Sequence, residues 1–576
     1  MVLNSSNIPA SVILKGSRIA EIDERCISSG TDSKWLMQNA GSCVADAIIR
    51  DLSEPAGLKI RDRVSGVVIC GSGNNGGDGF VSAIDLIKKG ISLKIFYINP
   101  VEKFTKDTLH YYEKLVSLNG VKTGKISVTF LDINDRTGRD DFINSLKNCN
   151  FVVDAIFGTG LHEKHIYGGA QEIIKTVNRI CGKENDEADG QQPDIKNSAR
   201  PSGCGKNQVK GTYPLIYSID IPSGIDSDNG RVLGDAIRAS KTITFGCKKL
   251  GIAVYPGREF AGDVEVADIG ISQELYFGYD RIYEANLQYV ASKIPYRDPY
   301  TYKHAAGKLL VIAGSPGYTG AAAMACKAAL RSGAGVVTLV CPWEMNPIFE
   351  VKLTEVMTYP VEQTEEGSID PDSFDEIENL SLNFDALAVG PGLSKNAATT
   401  CLVREILKKI KKPTVLDADG LRALYGPKST GGENDPELSH VIITPHSGEL
   451  ASILGLGKIG LEQRLEVNRK AVEKFGVVSI LKGASTLIDN SGGETFINPT
   501  GSWALATAGT GDILTGITGS LLCQGLRLTD AAVCAAYIHG MSSDIMTART
   551  GNYSQIATDL LDGLKEVFLL IEKIKY

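Results

Sequence analysis

A two-domain α/β protein with parallel sheets is what this sequence predicts, and three observations predict it. Apolar runs of strand length end repeatedly in a glycine or a carboxylate and give way to helical periodicity. That alternation runs from 17 to about 270, lapses, and restarts at 307. Glycine is also in excess: 62 residues of 576, about 11% against a usual ~7%. The glycines gather at the turns after apolar runs, where such folds bind ligands.

In the first half, apolar positions 19, 22 and 27, then 36, 37, 40, 44, 47 and 48, recur mostly at steps of three and four. That spacing predicts two amphipathic helices over 17–50. Ser65-Gly66-Val67-Val68-Ile69-Cys70 reads as a buried strand, followed by a glycine loop over 71–80 and a helix over 81–89. The loop holds glycines at 71, 73, 76, 77 and 79, with Asn74, Asn75 and Asp78 between them. The spacing is not that of the dinucleotide fingerprint. The Asn and Asp oxygens suit a cation or ribose hydroxyls. Strands follow at 93–98 and 128–131. The run from Phe151 ends in Asp154 and enters Gly158-Thr159-Gly160; the run over 214–219 ends in Asp220 and enters Pro222-Ser223-Gly224. A carboxylate at the carboxyl end of a parallel strand faces the ligand crevice. Strands at 239–245 and 262–269 complete a doubly wound domain over 17–275, after a tail of 1–16. Within it, 182–212 is polar, with Ile195 and Val209 as its only large aliphatics. A disordered surface insertion is expected there.

A linker is expected near 272–285, with a second α/β domain over 285–576. Strand 308–313 enters Gly314-Ser315-Pro316-Gly317-Tyr318-Thr319-Gly320 and an alanine-rich helix over 321–331. Strands at 335–341, 386–389, 414–416, 441–443 and 478–481 follow. The last four enter Gly390-Pro391-Gly392, Asp417-Ala418-Asp419, Thr444-Pro445-His446 and Lys482-Gly483-Ala484-Ser485-Thr486. The series closes on Gly509-Thr510-Gly511-Asp512 and an apolar helix. Backbone N–H groups at such a helix start attract anions. Gly509 and Gly511 lack a Cβ, so a phosphate can come close. An acid at that place is unfavourable unless it handles a proton or orients a hydroxyl. A plain N-cap is the other reading of Asp512.

Composition narrows the classes. The net charge is −8 and no basic stripe with interleaved aromatics appears, which argues against nucleic acid. Twelve cysteines show no CxxC or Cys/His spacing, so reduced thiols and no zinc site are expected. No run of 18 apolar residues predicts a membrane span. The first 18 residues lack acids and carry Lys15 and Arg18. A cytoplasmic protein is expected, with mitochondrial targeting left open.

Together these residues resemble one family pair, the NAD(P)H-hydrate epimerase fused to a ribokinase-like NAD(P)H-hydrate dehydratase. In the first half the resemblance rests on 36–41, 73–79, 154–160, 220–224, and Thr244-Phe245-Gly246 with Lys249. In the second it rests on 314–320, 390–393, 417–419, 444–449, 482–486 and 509–512. It implies a Rossmann-like N-terminal domain and repair of nicotinamide coenzymes hydrated at ring carbon 6. The first half would interconvert the R and S epimers. The second would dehydrate the S form with ADP or ATP, releasing AMP and phosphate if the nucleotide is ADP.

Residue roles follow from the resemblance. Asn74, Asn75, Gly76, Gly77 and Asp78 would bind the hydrate, with Gly158, Thr159, Gly160, Leu161, His162, Glu163 and Lys164 as a second loop. Asp220 would be the acid/base of epimerisation. Asn75, Asp154 and Ser223 would bind potassium, a hard cation suited to oxygen donors. In the second half, Ala322, Gly392, His446 and Asp512 would contact the hydrate. Lys482, Gly483, Ala484, Ser485, Thr486 and Gly511 would contact the nucleotide, with Mg²⁺ on its phosphates. Asp512 would activate the hydrate's hydroxyl for attack on the terminal phosphate. A homo-oligomer is expected, with no nucleic-acid or membrane partner. The competing reading is a small-molecule kinase of the ribokinase superfamily fused to a non-catalytic Rossmann-like binding module.

Overall fold

The computed structural model describes residues 11–53, 64–118, 126–161, 165–182, 213–298, 300, 302–425 and 438–575. The chain divides into two units, Val12–Asp280 and Arg281 onward. The tail up to residue 10, the 182–212 insertion beyond Gly182, and His162, Glu163 and Lys164 lie outside the described residues. The described cysteines are free thiols, and no helix among the described residues is long and apolar enough to cross a membrane.

In the first unit, parallel strands stand in the order Ser127–Phe130, Ser92–Tyr97, Ser65–Cys70, Phe151–Ala155, Leu215–Ile219, Lys241–Phe245, Asp263–Ala267. The strands are apolar on both faces because helices cover both. Val67, Ile69 and Val152 pack with Phe142, Leu146 and Val177 on one side. Their neighbours Val68, Cys70 and Val153 pack with Ile22, Val44, Phe80 and Leu115 on the other. The strand order reverses between Ser65–Cys70 and Phe151–Ala155. Such a switch point opens a crevice at the strands' carboxyl ends. Gly71 lies in that opening, where a Cβ would stand 2.0 Å from the Ile156 carbonyl oxygen.

The expected glycine loop over 71–80 is mostly helix. The helix spans Asn74–Lys88, with Gly73 as N-cap. Its glycines have ordinary helical angles and serve close packing. A Cβ on Gly76 would lie 2.0 Å from the Gly71 oxygen, one on Gly77 2.5 Å from the Met37 sulfur, and one on Gly79 2.6 Å from the Ala155 Cβ. Tertiary fit overrides glycine's poor helix propensity here.

In the second unit the order is Met357–Val361, Val336–Pro342, Lys308–Ile312, Ala386–Val389, Thr414–Leu416, Val441–Ile443, Val478–Leu481, Thr486–Asp489, Thr495–Asn498, Ile282–Glu284. The first seven are parallel, and the next two pairings are antiparallel hairpins. Ile282–Glu284 pairs with Thr495–Asn498, so a strand stands inside the expected linker. The helix Thr510–Cys523 is buried along nearly its whole length, as an all-round apolar helix must be. Gly516 lets the alanine-rich helix Thr319–Arg331 approach: a Cβ there would lie 2.1 Å from the Ala325 oxygen.

Candidate functional site

Strand ends build a site in each unit. In the first, Asn75, 8% exposed, lies against Gly158, where a Cβ would stand 3.2 Å from the Asn75 side chain. The Asn75 Nδ2 is buried without a hydrogen-bond partner. Asn74 accepts from Thr105 Oγ1 at 3.0 Å. Asp154 is fully buried. Its carboxylate accepts from Ser223 Oγ at 2.5 Å, Ser223 N–H at 2.9 Å and Ser218 Oγ at 2.8 Å. Burial pushes the Asp154 carboxyl up, and the bonds from Ser223 and Ser218 pull it part of the way back. Ser223 Oγ also accepts the Phe157 N–H at 2.9 Å. Asn75, Asp154, Gly158 and Ser223 thus sit at one junction of turns. Thr159 and Leu161 follow, with Leu161 N–H on the Gly158 oxygen at 3.3 Å.

Asp220 stands at the next strand end with φ of 65°. That left-handed conformation is strained for a residue with a Cβ, by about 1–3 kcal/mol, and persists only where surroundings hold it. Here they do. Its N–H donates to the Ile243 oxygen at 2.7 Å. Its Oδ1 accepts from Lys249 Nζ at 2.5 Å and Thr244 Oγ1 at 3.1 Å. Lys249 is fully buried and also donates to the Phe245 oxygen at 2.8 Å. Asp78, on the second turn of Asn74–Lys88, is pushed well above the usual carboxylate range by burial and by the charges of Asp220 and Asp23. Sequence reasoning gave Lys249 no role and passed over Asp23. Lys249 stands beside Lys248 before a short helix, with nothing in its spacing to tie it to Asp220.

In the second unit, Asp417 is the hub. It is 1% exposed. Its Oδ1 accepts from Lys482 Nζ at 2.8 Å and its Oδ2 from Thr515 Oγ1 at 2.7 Å. Burial alone would raise its carboxyl; Lys482, Thr444 and Thr515 more than offset that and hold it below its ordinary value. Lys482 is raised in turn: Asp417 and Glu449 outweigh its burial. The pair is therefore charged. Lys482, expected to contact the nucleotide, is paired in this structure. It is committed to Asp417 and lies 3.8 Å from Glu449. A Cβ on Gly511 would stand 3.4 Å from Lys482 Nζ and 3.7 Å from Asp417 Oδ2, so this glycine leaves room beside the ion pair.

Asp512 follows in the first turn of Thr510–Cys523. Burial pushes its carboxyl up to about 7; Asp417 adds to the rise and Lys482 opposes it. Gly509 adopts φ of 94° and meets Met324, so its lack of a Cβ serves the turn itself. His539 braces the helix start, its Nε2 2.9 Å from the Thr510 oxygen. Burial pushes His539 down to about 4, so it is neutral.

The remaining positions divide. Gly390 abuts Asp417, where a Cβ would be 1.8 Å from the Asp417 oxygen, and Gly392 packs on Tyr318. His446 Nδ1 caps the helix Ser447–Leu454 by accepting the N–H groups of Gly448 and Glu449 at 3.0 and 3.3 Å. Its ring is otherwise exposed and lies 3.6 Å from Glu449. Ala322 is fully buried. A Cβ on Gly314 would stand 3.5 Å from its methyl group, so it packs beneath the site and presents no surface to a ligand. The turn 482–486 joins two antiparallel strands, with Ser485 at φ of 48°. Buried Arg464 holds that turn through the carbonyls of Leu481, Lys482, Ala484 and Ser485. No pattern in the sequence marks Arg464, a long-range brace. Asp417 obeys the strand-end rule and was legible by it.

Two family models match the two halves of the chain. The family model "YjeF-related protein N-terminus" matches residues 33–251, and "NAD(P)H-hydrate dehydratase" matches 309–566. A protein of Moorella thermoacetica named bifunctional NAD(P)H-hydrate repair enzyme Nnr is 35% identical over 547 residues, 93% of each chain. One of the same name from Thermofilum pendens is 31% identical, covering 97% of this chain and 95% of its own. Among solved structures, an ADP/ATP-dependent NAD(P)H-hydrate dehydratase from Bacillus subtilis co-crystallised with ATP/Mg²⁺ is 29% identical. It covers 50% of this chain and 97% of its own, with a TM-score of 0.41. With a family model matching each half and relatives at least 30% identical along nearly the whole chain, this protein belongs to the family of bifunctional NAD(P)H-hydrate repair enzymes.

Proposed function

We propose that the chain repairs hydrated NADH and NADPH in two steps on two sites: epimerisation in the first unit, nucleotide-dependent dehydration of the S form in the second. The observation that carries the second step is Asp512, a carboxyl near 7 at a helix N-terminus beside the Lys482–Asp417 pair. A base of that strength is matched to taking a hydroxyl proton at neutral pH. Asp512 takes the proton of the hydroxyl on ring carbon 6, and the oxygen attacks the terminal phosphorus of ADP or ATP, breaking its bond to the bridging oxygen and releasing AMP or ADP. The phosphate ester is then a good leaving group. The ring nitrogen expels it, and loss of a proton from carbon 5 restores the dihydronicotinamide. Backbone N–H groups at 509–511 and the turn 482–486 receive the phosphates. Asp419, close enough to Asp512 to raise it, is the carboxylate we assign to hold a magnesium ion carried by the nucleotide. When bound, such an ion draws negative charge from the phosphates.

In the first unit, Asp220 moves a proton at the hydrate's carbon 6 hydroxyl or ring nitrogen, and Lys249 fixes its carboxylate. The residues fit potassium. Asp154, Ser223 and Asn75 offer oxygens, and the buried Asn75 amide has an end without a partner. Turned over, that amide presents its oxygen there. When bound, the cation would supply a positive charge at the junction of the three turns.

The test is an R/S mixture of hydrated NADH with ADP and with ATP in parallel. The whole chain should restore the absorbance of the reduced nicotinamide for both epimers. Asp220→Asn should stop at the S fraction. A stable phosphorylated product would instead favour the kinase reading.

A further inference from the structure

We propose that Asp23 is a second proton-transfer residue of the epimerase site, alternating with Asp220 as the two epimers interconvert. The proposal rests on the epimerase reading above. Asp23 lies on the helix Gly16–Ser28, which buries Ile19, Ile22 and Cys26. At this spacing, position 23 borders the apolar face. A carboxyl at such a place is the informative kind of exception. It has no structural return: among the described residues no hydrogen bond reaches the Asp23 side chain.

The first turn of the helix packs beside the Thr159 loop. A Cβ on Gly16 would stand 2.0 Å from Ser227 Oγ and 3.3 Å from the Thr159 Cβ, and the Ser17 N–H donates to Asp228 Oδ1 at 2.9 Å. Immediately before the helix, Ile13 and Leu14 pair with Lys248 and Lys249. The chain leading to Asp23 is thus fastened to the residue that grips Asp220.

Asp23 is coupled electrostatically to Lys249, Asp220, Asp78, Cys247 and Tyr276. Burial pushes Asp23 up to about 6; Lys249 pulls it down and Asp220 pushes it further up. Burial also raises Cys247 to about 11 and lifts Tyr276, so both stay protonated at neutral pH. Burial and the charges of Asp220 and Asp23 push Asp78 up as well. Asp23 gains and loses a proton within the working range.

The step balances without a further reactant. Protonated Asp23 donates to the hydroxyl on carbon 6. The C–O bond breaks, water leaves, and the ring nitrogen's lone pair forms the N1=C6 double bond. Water adds to carbon 6 from the other face and gives a proton to the Asp220 carboxylate. In the opposite direction the two residues exchange roles. A site that must serve a hydroxyl on either face needs a proton relay for each, and a single Asp220 supplies one.

The experiment follows R/S interconversion by the whole chain without nucleotide, across the acid to neutral range. Asp23→Asn should lower kcat by at least ~100-fold, the usual contribution of a positioned acid or base, with KM little changed. The wild-type inflection near pH 6 should vanish from the residual rate. The melting temperature should hold or rise, since an unpartnered carboxyl is removed. Asp23→Glu should keep activity with a displaced inflection. A wild-type rate in Asp23→Asn, or an inflection unmoved in both variants, would overturn the assignment while the epimerase reading stands. Absence of interconversion by the wild type would overturn both.

Discussion

Asp512 shows how little local sequence decides chemistry at the residue scale. Gly-Thr-Gly-Asp is equally a helix cap or a catalytic turn. The N-cap is Gly509, and the catalytic reading proposed for Asp512 leans on Asp417, 95 residues upstream by number and coupled electrostatically in space. A base held at about 7 is active only when deprotonated. Dehydratase kcat/KM should therefore climb with pH through about 7 and level above it. Asp512→Asn should lose ~100-fold or more in dehydration, with the pH step gone and epimerisation untouched. Folding linkage has the same origin. The folded state holds this proton more tightly than the unfolded chain, so ionisation weakens folding as pH rises from the ordinary carboxylate range to about 7. Asp512→Asn should accordingly melt higher than the wild type at pH above that value, a difference that closes in acid. Calorimetry at two pH values reads it directly.

At the scale of elements, the parallel strands were legible because each is an apolar run of strand length with a polar stop. Ala386–Val389, Thr414–Leu416, Val441–Ile443 and Val478–Leu481 stand where the sequence puts them. Met357–Val361, Thr486–Asp489 and Thr495–Asn498 were not read. They lie at a sheet edge or in hairpins, interrupted by Pro360 or reduced to an apolar pair between polar ends. The start of Asn74–Lys88 was mistaken for a loop because its glycines argue against helix. Their reason is contact with Gly71, Met37 and Ala155, which no local pattern reports. The candidate site residues beside those stops were read by the same rule. Lys249 was singled out only by the resemblance and given no role; Arg464 and His539, which act across long sequence separations, left no trace. The packing account of the glycines is testable. Gly76→Ala drives a methyl group into the Gly71 carbonyl oxygen at 2.0 Å, a backbone clash that should destabilise the first unit by about 1–3 kcal/mol. Urea unfolding followed by loss of epimerisation should shift to lower denaturant, while dehydration keeps its midpoint.

For the molecule as a whole, two units with separate cores carry two reactions. Phe80 and Phe151 anchor one core; Leu310, Ile406 and Leu416 belong to the other. A ligand stabilises what it binds. Calorimetry of the whole chain should show two unfolding transitions, of which ADP or ATP raises one. A single transition, or an equal rise in both, would contradict it. The half-buried carboxyls of both sites have a wider consequence. Asp23, Asp78 and Asp512 are each held against their preferred ionisation, and each is a place where a neutral side chain would fit more comfortably. A laboratory lineage selected for heat tolerance alone would discard these acids early. It would emerge sturdier and unable to mend a coenzyme, so screens for robust variants of this protein have to score repair alongside survival.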